Sequence, residues 1–308
     1  MGVRLVLGLL IALVSVGPAM RKAQAQTNDD VRRAVYRAVQ FLRSTQAEDG
    51  TWPGTFGKRL GGVALAGLAL RHGGVAADDP SIVRAADFVR QRAPDDMNTY
   101  DVALSIMFLD KLTRTDKSSQ LRAVRGEEVR TKRLQSGRTL VGNQVDDSEL
   151  IVRLCERLQA GQGPGGSWSY QCQRSSDGDH SNTQFGVLAV WVAGQHGVDV
   201  AENLTRCDGH FRECQGEDGG WAYGAGGSAT PSMTAAGLLA LATAKGIEAQ
   251  LTTGTDPRTV RSKSKEREPA DPAVEAALAR LESFMVPPQA NTTPPMAMPG
   301  AANVHQTT

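Results

Sequence analysis

One short pattern, Gln-x3-Gly-x-Trp, occurs three times in this chain and constrains its fold more than any other feature. The three copies have identical internal spacing and use three of the four Trp residues of the 308-residue chain. Their members are Gln46, Gly50 and Trp52; Gln162, Gly166 and Trp168; and Gln215, Gly219 and Trp221. A turn-like motif that recurs with fixed spacing predicts a repeat architecture rather than one irregular domain.

Each copy stands between two kinds of helical pattern. Segments with apolar residues three and four positions apart precede the motifs, and small, almost wholly apolar segments follow them over 60–70, 182–191 and 233–241. A degenerate pair without the motif begins at Asp79 and at Asn98. Because an apolar helix has to be enclosed, these patterns predict an inner layer of apolar helices covered by an outer layer of amphipathic ones.

The residue types of the motif suit a turn between two such helices. Gly adopts the left-handed conformation that ends a helix, Gln can bond exposed backbone groups, and Trp can pack against the next helix pair. Gly186 and Gly237 stand at one equivalent position of two apolar segments. Their lack of a side chain predicts a close approach to a neighbouring element at that position.

These turns resemble the QW motifs of the prenyltransferase and squalene-oxidase repeat, over about residues 31–245. The stretch from Gly166 to Tyr170, followed by Ser181 to Phe185, is the most similar part. The nearest resemblance is to exported bacterial repeat proteins of unassigned activity. It implies an all-α fold, the α/α toroid found in squalene-hopene cyclases, protein prenyltransferase β-subunits and complement-type thioester domains. The QW motif is structural, so the resemblance implies a fold and no reaction.

The number of helices points to an incomplete ring. The patterns indicate five amphipathic and four apolar helices, whereas the closed toroid of this family is expected to have six of each. We therefore expect an open ring, a ring completed by a partner chain, or a fragment of a longer protein, of which the fragment is the favoured interpretation.

The ends of the chain carry different signals. Arg4, an uncharged stretch over 5–16, and the small residues Ala23 and Ala25 are typical of a cleaved secretory signal over 1–25. The prediction is an exported protein, periplasmic or secreted, without a transmembrane helix after cleavage; an uncleaved anchor is the alternative. The repeats are expected over 27–249, with a charged insertion at about 111–143. A polar linker over 250–270, a further outer helix over 271–286 and a disordered Pro/Ala/Thr-rich tail over 287–308 follow.

Charge and aromatic content argue against two classes of function, nucleic-acid binding and carbocation chemistry. With 34 Lys and Arg against 33 Asp and Glu, bulk charge does not favour nucleic-acid binding. Aromatic residues make up only 5% of the chain, which is too few to line a cavity for carbocation chemistry. The nearest text to the Asp-x-Asp-Asp motif of class II terpene cyclases is Asp146-Asp147, where Gln144 replaces the first Asp. Asp146 is better explained as part of a capping box with Glu149.

The sequence also argues against a metal centre. Cys207, Asp208 and His210 form its one close cluster of zinc-ligand residue types, but adjacent helical residues point about 100° apart and cannot easily share an ion. We therefore expect no metal and no cofactor. A Cys155–Cys172 disulfide is possible in principle, but free thiols are the favoured state for these two residues and for Cys207 and Cys214.

One polar cluster remains as a candidate site, at the start of an apolar helix and hence at the rim of the expected cavity. Its members are Asp177, Asp179, His180, Asn182 and Gln184. Asp179 or Ser181 could simply cap the helix; otherwise Asp179 and His180 are the candidates for ligand contact or catalysis. The sequence thus predicts a binding or scaffold module for an unknown ligand, peptide or protein partner. A terpenoid cyclase-like or prenyltransferase-like enzyme is the alternative.

Overall fold

The predicted all-α class is confirmed by a computed structural model, which describes residues 27–113, 131–133, 139–141, 144–224, 226–253 and 271–285. Nine α-helices lie within these ranges. They are α1 Asn28–Thr45, α2 Leu60–His72, α3 Pro80–Arg92, α4 Thr99–Thr113, α5 Ser148–Gly161, α6 His180–Gly194, α7 Ala201–Glu213, α8 Pro231–Thr253 and α9 Pro272–Met285. The predicted signal at 1–25, the tail at 287–308 and most of the linker lie outside the described residues.

The helices alternate between two layers. The apolar helices α2, α4, α6 and α8 pack against one another in chain order. Among the amphipathic helices, α1 and α3 pack on α2, α5 packs on α4 and α6, α7 packs on α6 and α8, and α9 packs on α8. The apolar helices therefore form a continuous row, covered by amphipathic helices that bury one face each.

The three Trp residues lie at the turns between the layers. Trp168 and Trp221 are fully buried and Trp52 nearly so. Each indole N–H donates to the carbonyl ten residues earlier, in the last turn of the preceding helix: Leu42 at 2.8 Å, Leu158 at 2.7 Å and Phe211 at 2.8 Å. The indole thus satisfies a carbonyl that has no partner within its own helix.

The three Gln residues link each repeat to the next. The side-chain amide of Gln162 donates to the carbonyl of Gly166 at 2.9 Å and to that of Asn203, near the start of α7, at 3.0 Å. Gln215 makes the same pair of bonds to Gly219 and to Ala273 at the start of α9, both at 2.8 Å. Gln46 repeats the pattern with Gly50 and Ser81. Each Gln therefore fixes the position of the following amphipathic helix.

The motif glycines are required by both conformation and space. Gly50, Gly166 and Gly219 have φ between 80° and 86°. A Cβ at Gly166 would lie 2.2 Å from the carbonyl oxygen of Arg206, and one at Gly219 would lie 2.5 Å from that of Ala276. An L side chain is therefore excluded twice over, by the left-handed backbone and by the neighbouring helix.

Gly186 and Gly237 face the Trp rings. A Cβ at Gly186 would lie 2.7 Å from the ring of Trp168, and one at Gly237 would lie 2.4 Å from the ring of Trp221. Helices α6 and α8 thus each pack the indole of their own repeat directly against the backbone at a glycine.

Two boundaries differ from the sequence prediction, and one small sheet was not predicted. Helix α8 runs to Thr253, so residues 250–253 of the predicted linker are helical, in keeping with the helix-forming residues that precede them. The predicted insertion begins inside α4, which ends at Thr113. An antiparallel sheet lies in that segment and just after it, made of β1 Thr131–Arg133, β2 Thr139–Val141 and β3 Gln144–Val145, with Leu140 opposite both Lys132 and Val145.

The capping box predicted for Asp146 and Glu149 is wrong. The N-cap of α5 is Asp147, and its side chain makes no capping bond. The Asp147 carboxylate instead accepts two hydrogen bonds from the buried guanidinium of Arg90, at 2.9 and 2.7 Å. An unpaired buried charge costs more free energy than an uncapped helix end, so Asp147 pairs with Arg90 instead of capping α5. Asp146 accepts the backbone N–H of Ser148.

Candidate functional site

The predicted polar cluster is divided between capping and a cavity wall. Asp179 caps α6 by accepting the backbone N–H of Asn182 at 2.9 Å and its side-chain amide at 2.7 Å. Asp177 is exposed in the preceding turn, and Gln184 is half-buried on α6. These residues therefore do not converge on one ligand position, and the capping role expected for Asp179 is confirmed.

His180 is the member of that cluster that faces a cavity. Its ring Nδ1 lies 2.6 Å from the carbonyl oxygen of Ala222, and its backbone N–H donates to the carbonyl of Tyr223. The first residue of α6 is thus bound to the turn of the third repeat. Because a carbonyl can only accept, Nδ1 carries the proton and Nε2 is left as the basic nitrogen.

Aromatic side chains gather where α4 and α6 begin. Tyr100 donates its hydroxyl to Ser181 at 2.7 Å, and its ring lies 5.1 Å from that of Phe185 and 6.0 Å from that of Tyr170. The hydroxyls of Tyr170 and Tyr223 are 2.7 Å apart. We call Tyr100, Tyr170, Tyr223, Ser181 and Phe185 the tyrosine rim.

The tyrosine rim is partly open to solvent and uncharged. Tyr170 is 54% exposed and Tyr223 is 47% exposed, whereas Tyr100 is half-buried. Loss of solvent raises the pKa of Tyr100, and it also raises that of Tyr223, with a further contribution from the bond to Tyr170. Tyr100 and Tyr223 therefore remain protonated at neutral pH and keep their hydrogen-bond donors.

A cavity of about 860 Å³ lies between α7, the start of α6 and the turn of the third repeat. His180, His210 and Cys214 line it together with Glu217 and backbone of the glycine-rich turn, and we call it the histidine cavity. Burial, and then the neighbouring His180, lowers the pKa of His210 to about 4. The His210 imidazole is therefore available as a neutral donor of a nitrogen lone pair.

The cluster of zinc-ligand types noted in the sequence is not assembled as one group. The Cys207 thiol lies 3.3 Å from the side-chain nitrogen of Gln162 and donates to the carbonyl of Gly166. Asp208 instead pairs with Arg212 at 2.7 Å. His210 belongs to the histidine cavity.

All four cysteines are free thiols. Burial raises the pKa of Cys155 to about 12 and that of Cys172 to about 11, so both are inert thiols that pack as small apolar residues. Cys214 is exposed.

A second cavity, of about 640 Å³, lies between α3 and the starts of α2 and α4. Its wall carries Asp95, Asp96 and Asp101 opposite Lys58 and Arg59. Burial, and then Asp96, raises the pKa of Asp101, although its carboxylate accepts the backbone N–H of Gly61 at 3.0 Å. Asp101 thus combines a raised pKa with a position at the start of an apolar helix and in the wall of a cavity.

Sequence reasoning missed the tyrosine rim, and it grouped His210 with Cys207 and Asp208 rather than with His180 and Cys214. Tyr170 and Tyr223 each stand two residues after a motif Trp, where the first repeat has Gly54. A Tyr that recurs two residues after the motif Trp could have been recognised from the sequence alone. His210, in α7, and Cys214, the residue that caps its C-terminal end, are four residues apart, but only the fold brings His180 to them.

Comparison with models of known protein families finds no match to this chain, and a search of curated proteins finds none either. Within the described residues, no helix combines the length and hydrophobicity needed to cross a bilayer.

Proposed function

We propose that this chain is an exported α/α-toroid protein of the prenyltransferase and squalene-oxidase repeat type, which binds a ligand or partner at the tyrosine rim. The repeated Gln, Gly and Trp geometry and the row of apolar helices support the architecture. The cleavage-site pattern in the first 25 residues supports export.

The observation that carries the binding function is the clustering of tyrosines. Three of the chain's four Tyr residues lie in one group at the start of α4 and α6, and two of them are about half exposed. Tyrosine offers a large rigid face and a hydroxyl at small cost in conformational entropy, which is why it is enriched in binding surfaces. The rim suits an uncharged ligand, or a peptide, that presents a flat apolar face beside hydrogen-bonding groups.

A second candidate function rests on Asp101. A carboxyl group with a raised pKa at the start of an apolar helix could act as a general acid, as the terpenoid cyclase alternative requires. The lining of its cavity is polar and charged, with no aromatic side chain among the described residues. Such a lining does not stabilise a carbocation. If the enzyme alternative is right, Asp101→Asn abolishes conversion of a polyprenyl substrate by the purified chain.

Native mass spectrometry of protein purified from the exporting host tests the binding function. We expect a co-purifying species on the wild-type chain that is lost from the double variant Tyr170→Ala/Tyr223→Ala. Tyr36→Ala is the control, because Tyr36 is a tyrosine on α1, outside the rim, that is even more exposed than Tyr170 and Tyr223. A bound species that survives in the double variant, or no bound species at all, would contradict the proposal.

A further inference from the structure

The histidine cavity brings three strong metal-ligand side chains together from two helices. His210 and Cys214 are one helical turn apart at the end of α7 and therefore share a face, with Nδ1 of His210 3.8 Å from Sγ of Cys214. His180 approaches from the start of α6, and its ring centroid lies 5.3 Å from that of His210. One ligand atom from each residue lies within 4.8 Å of the other two.

Both imidazoles have a nitrogen free to coordinate. The bond from Nδ1 of His180 to the Ala222 carbonyl fixes the ring orientation and leaves Nε2 unprotonated. This carbonyl–histidine arrangement is the usual support of a metal-bound imidazole. Nε2 of His210 is buried and has no hydrogen-bond partner among the described residues. The His210 ring can therefore offer one of its two nitrogens to an ion, either Nδ1, which faces Sγ of Cys214, or the unpartnered Nε2.

The spacing requires little adjustment for a tetrahedral ion. Zinc bonds of about 2.0–2.3 Å place tetrahedral ligand atoms roughly 3.5 Å apart, so a separation of 4.8 Å, the upper bound here, has to shorten by about 1.3 Å. Cys214 is at the exposed end of α7, where a rotamer change can supply that movement.

The charges around the cavity favour a cation. Glu217 and Asp218 line the same cavity as the three ligands. Arg280 in the cavity wall is already paired with Asp218 at 3.0 Å. Among the described residues that line this cavity, there is no other Lys or Arg.

We propose that His180, His210 and Cys214 bind a borderline divalent cation such as Zn²⁺, with the fourth coordination position open to the histidine cavity. Two imidazole nitrogens and one thiolate form a set of donors that favours Zn²⁺ over Mg²⁺ or Ca²⁺. On binding, the Cys214 thiol releases its proton to solvent and the thiolate coordinates the ion, so one proton is released per metal bound. Water or an external ligand would occupy the fourth position. The site adjoins the tyrosine rim, because the His180 backbone N–H donates to the Tyr223 carbonyl, but it shares no ligand residue with the rim and does not depend on the function proposed there.

Metal titration of the purified, untagged chain tests this proposal. We expect one Zn²⁺ per chain by equilibrium dialysis, and with Co²⁺ an absorption band of thiolate-to-cobalt charge transfer. Cys214→Ser should abolish that band, and His210→Asn should weaken Zn²⁺ binding by about 100-fold or more, since it removes a direct ligand. Cys172→Ser and His72→Asn are matched controls, because they remove a thiol and an imidazole outside the cluster, and both should bind as the wild type does.

A measurement on the wild-type chain keeps the test independent of variant folding. Cys214 is the one exposed thiol of the four, so an alkylating reagent should modify it first. Zn²⁺ should slow that modification at least tenfold, and chelation should restore it. Alkylation of Cys214 at the same rate with and without Zn²⁺, or a Co²⁺ spectrum that persists in Cys214→Ser, would overturn the proposal.

Discussion

Gly186→Ala is the substitution that most sharply tests how the repeats are packed. The new Cβ would lie 2.7 Å from the ring of Trp168, about 1 Å inside a normal carbon–carbon contact. The ring cannot retreat, because it is fully buried and its N–H is bonded to the Leu158 carbonyl. We therefore expect the upper end of the overpacking range, about 3 kcal/mol. The gain in helix propensity offsets about 1 kcal/mol of this, which leaves a net loss of about 2 kcal/mol.

Gly209→Ala is the matched control for that substitution. Gly209 also lies inside a helix, α7, but a Cβ there would meet no atom within 4 Å. It should raise the free energy of unfolding by about 0.5–1 kcal/mol, through propensity alone.

A double-mutant cycle then isolates the contact with the ring. Trp168→Ala alone should cost about 3–5 kcal/mol. In that background Gly186→Ala should stabilise the chain by about 1 kcal/mol, so the coupling energy should be about 3 kcal/mol. Urea denaturation followed by circular dichroism, without added metal, measures all four proteins. If Gly186→Ala stabilises the wild-type chain as Gly209→Ala does, the ring does not pack on this glycine and the repeat geometry is wrong.

Two further predictions concern ion pairs. Asp147→Ala should cost about 3–5 kcal/mol of unfolding free energy in urea denaturation, because it leaves the buried Arg90 without its main counter-ion. Asp146→Ala removes one backbone hydrogen bond and should cost about 1 kcal/mol; equal losses would contradict the assignment. Arg212 lowers the pKa of Asp271 to about 2, so this pair should stabilise the native state above about pH 4 and cease to do so as pH falls through about 2. Solvent screening limits the contribution to about 1 kcal/mol. Asp271→Asn should remove this pH dependence, which unfolding measured across that pH range would detect, and an unchanged dependence would assign it to another group.

The parts of the fold that sequence predicted are those whose contacts are close in the chain. The indole of Trp168 bonds a carbonyl ten residues earlier, and Gln162 bonds the carbonyl of Gly166 only four residues later. The spacing of residues along the chain is therefore enough to predict such contacts. The end of α8 was misplaced because its last turns are polar and signal their helicity only through residue propensity.

The candidate sites depend on contacts that no local pattern reveals. Arg90 reaches Asp147 across 57 residues, which is why the capping box was a wrong prediction. The hydroxyls of Tyr170 and Tyr223 meet across 53 residues. His180 and His210 lie 30 positions apart, and their proximity follows from the packing of α6 beside α7.

The most direct test of the binding function is to locate where the ligand touches the chain. A photo-reactive amino acid at Gln171, an exposed neighbour of Tyr170, should attach on irradiation to the species detected by native mass spectrometry. The same amino acid at Gln40, equally exposed on α1, is the control. We predict that peptide mapping finds the ligand on the peptide that contains position 171 and none on the peptide that contains position 40. Equal attachment at both positions, or attachment at position 40 alone, would contradict binding at the tyrosine rim.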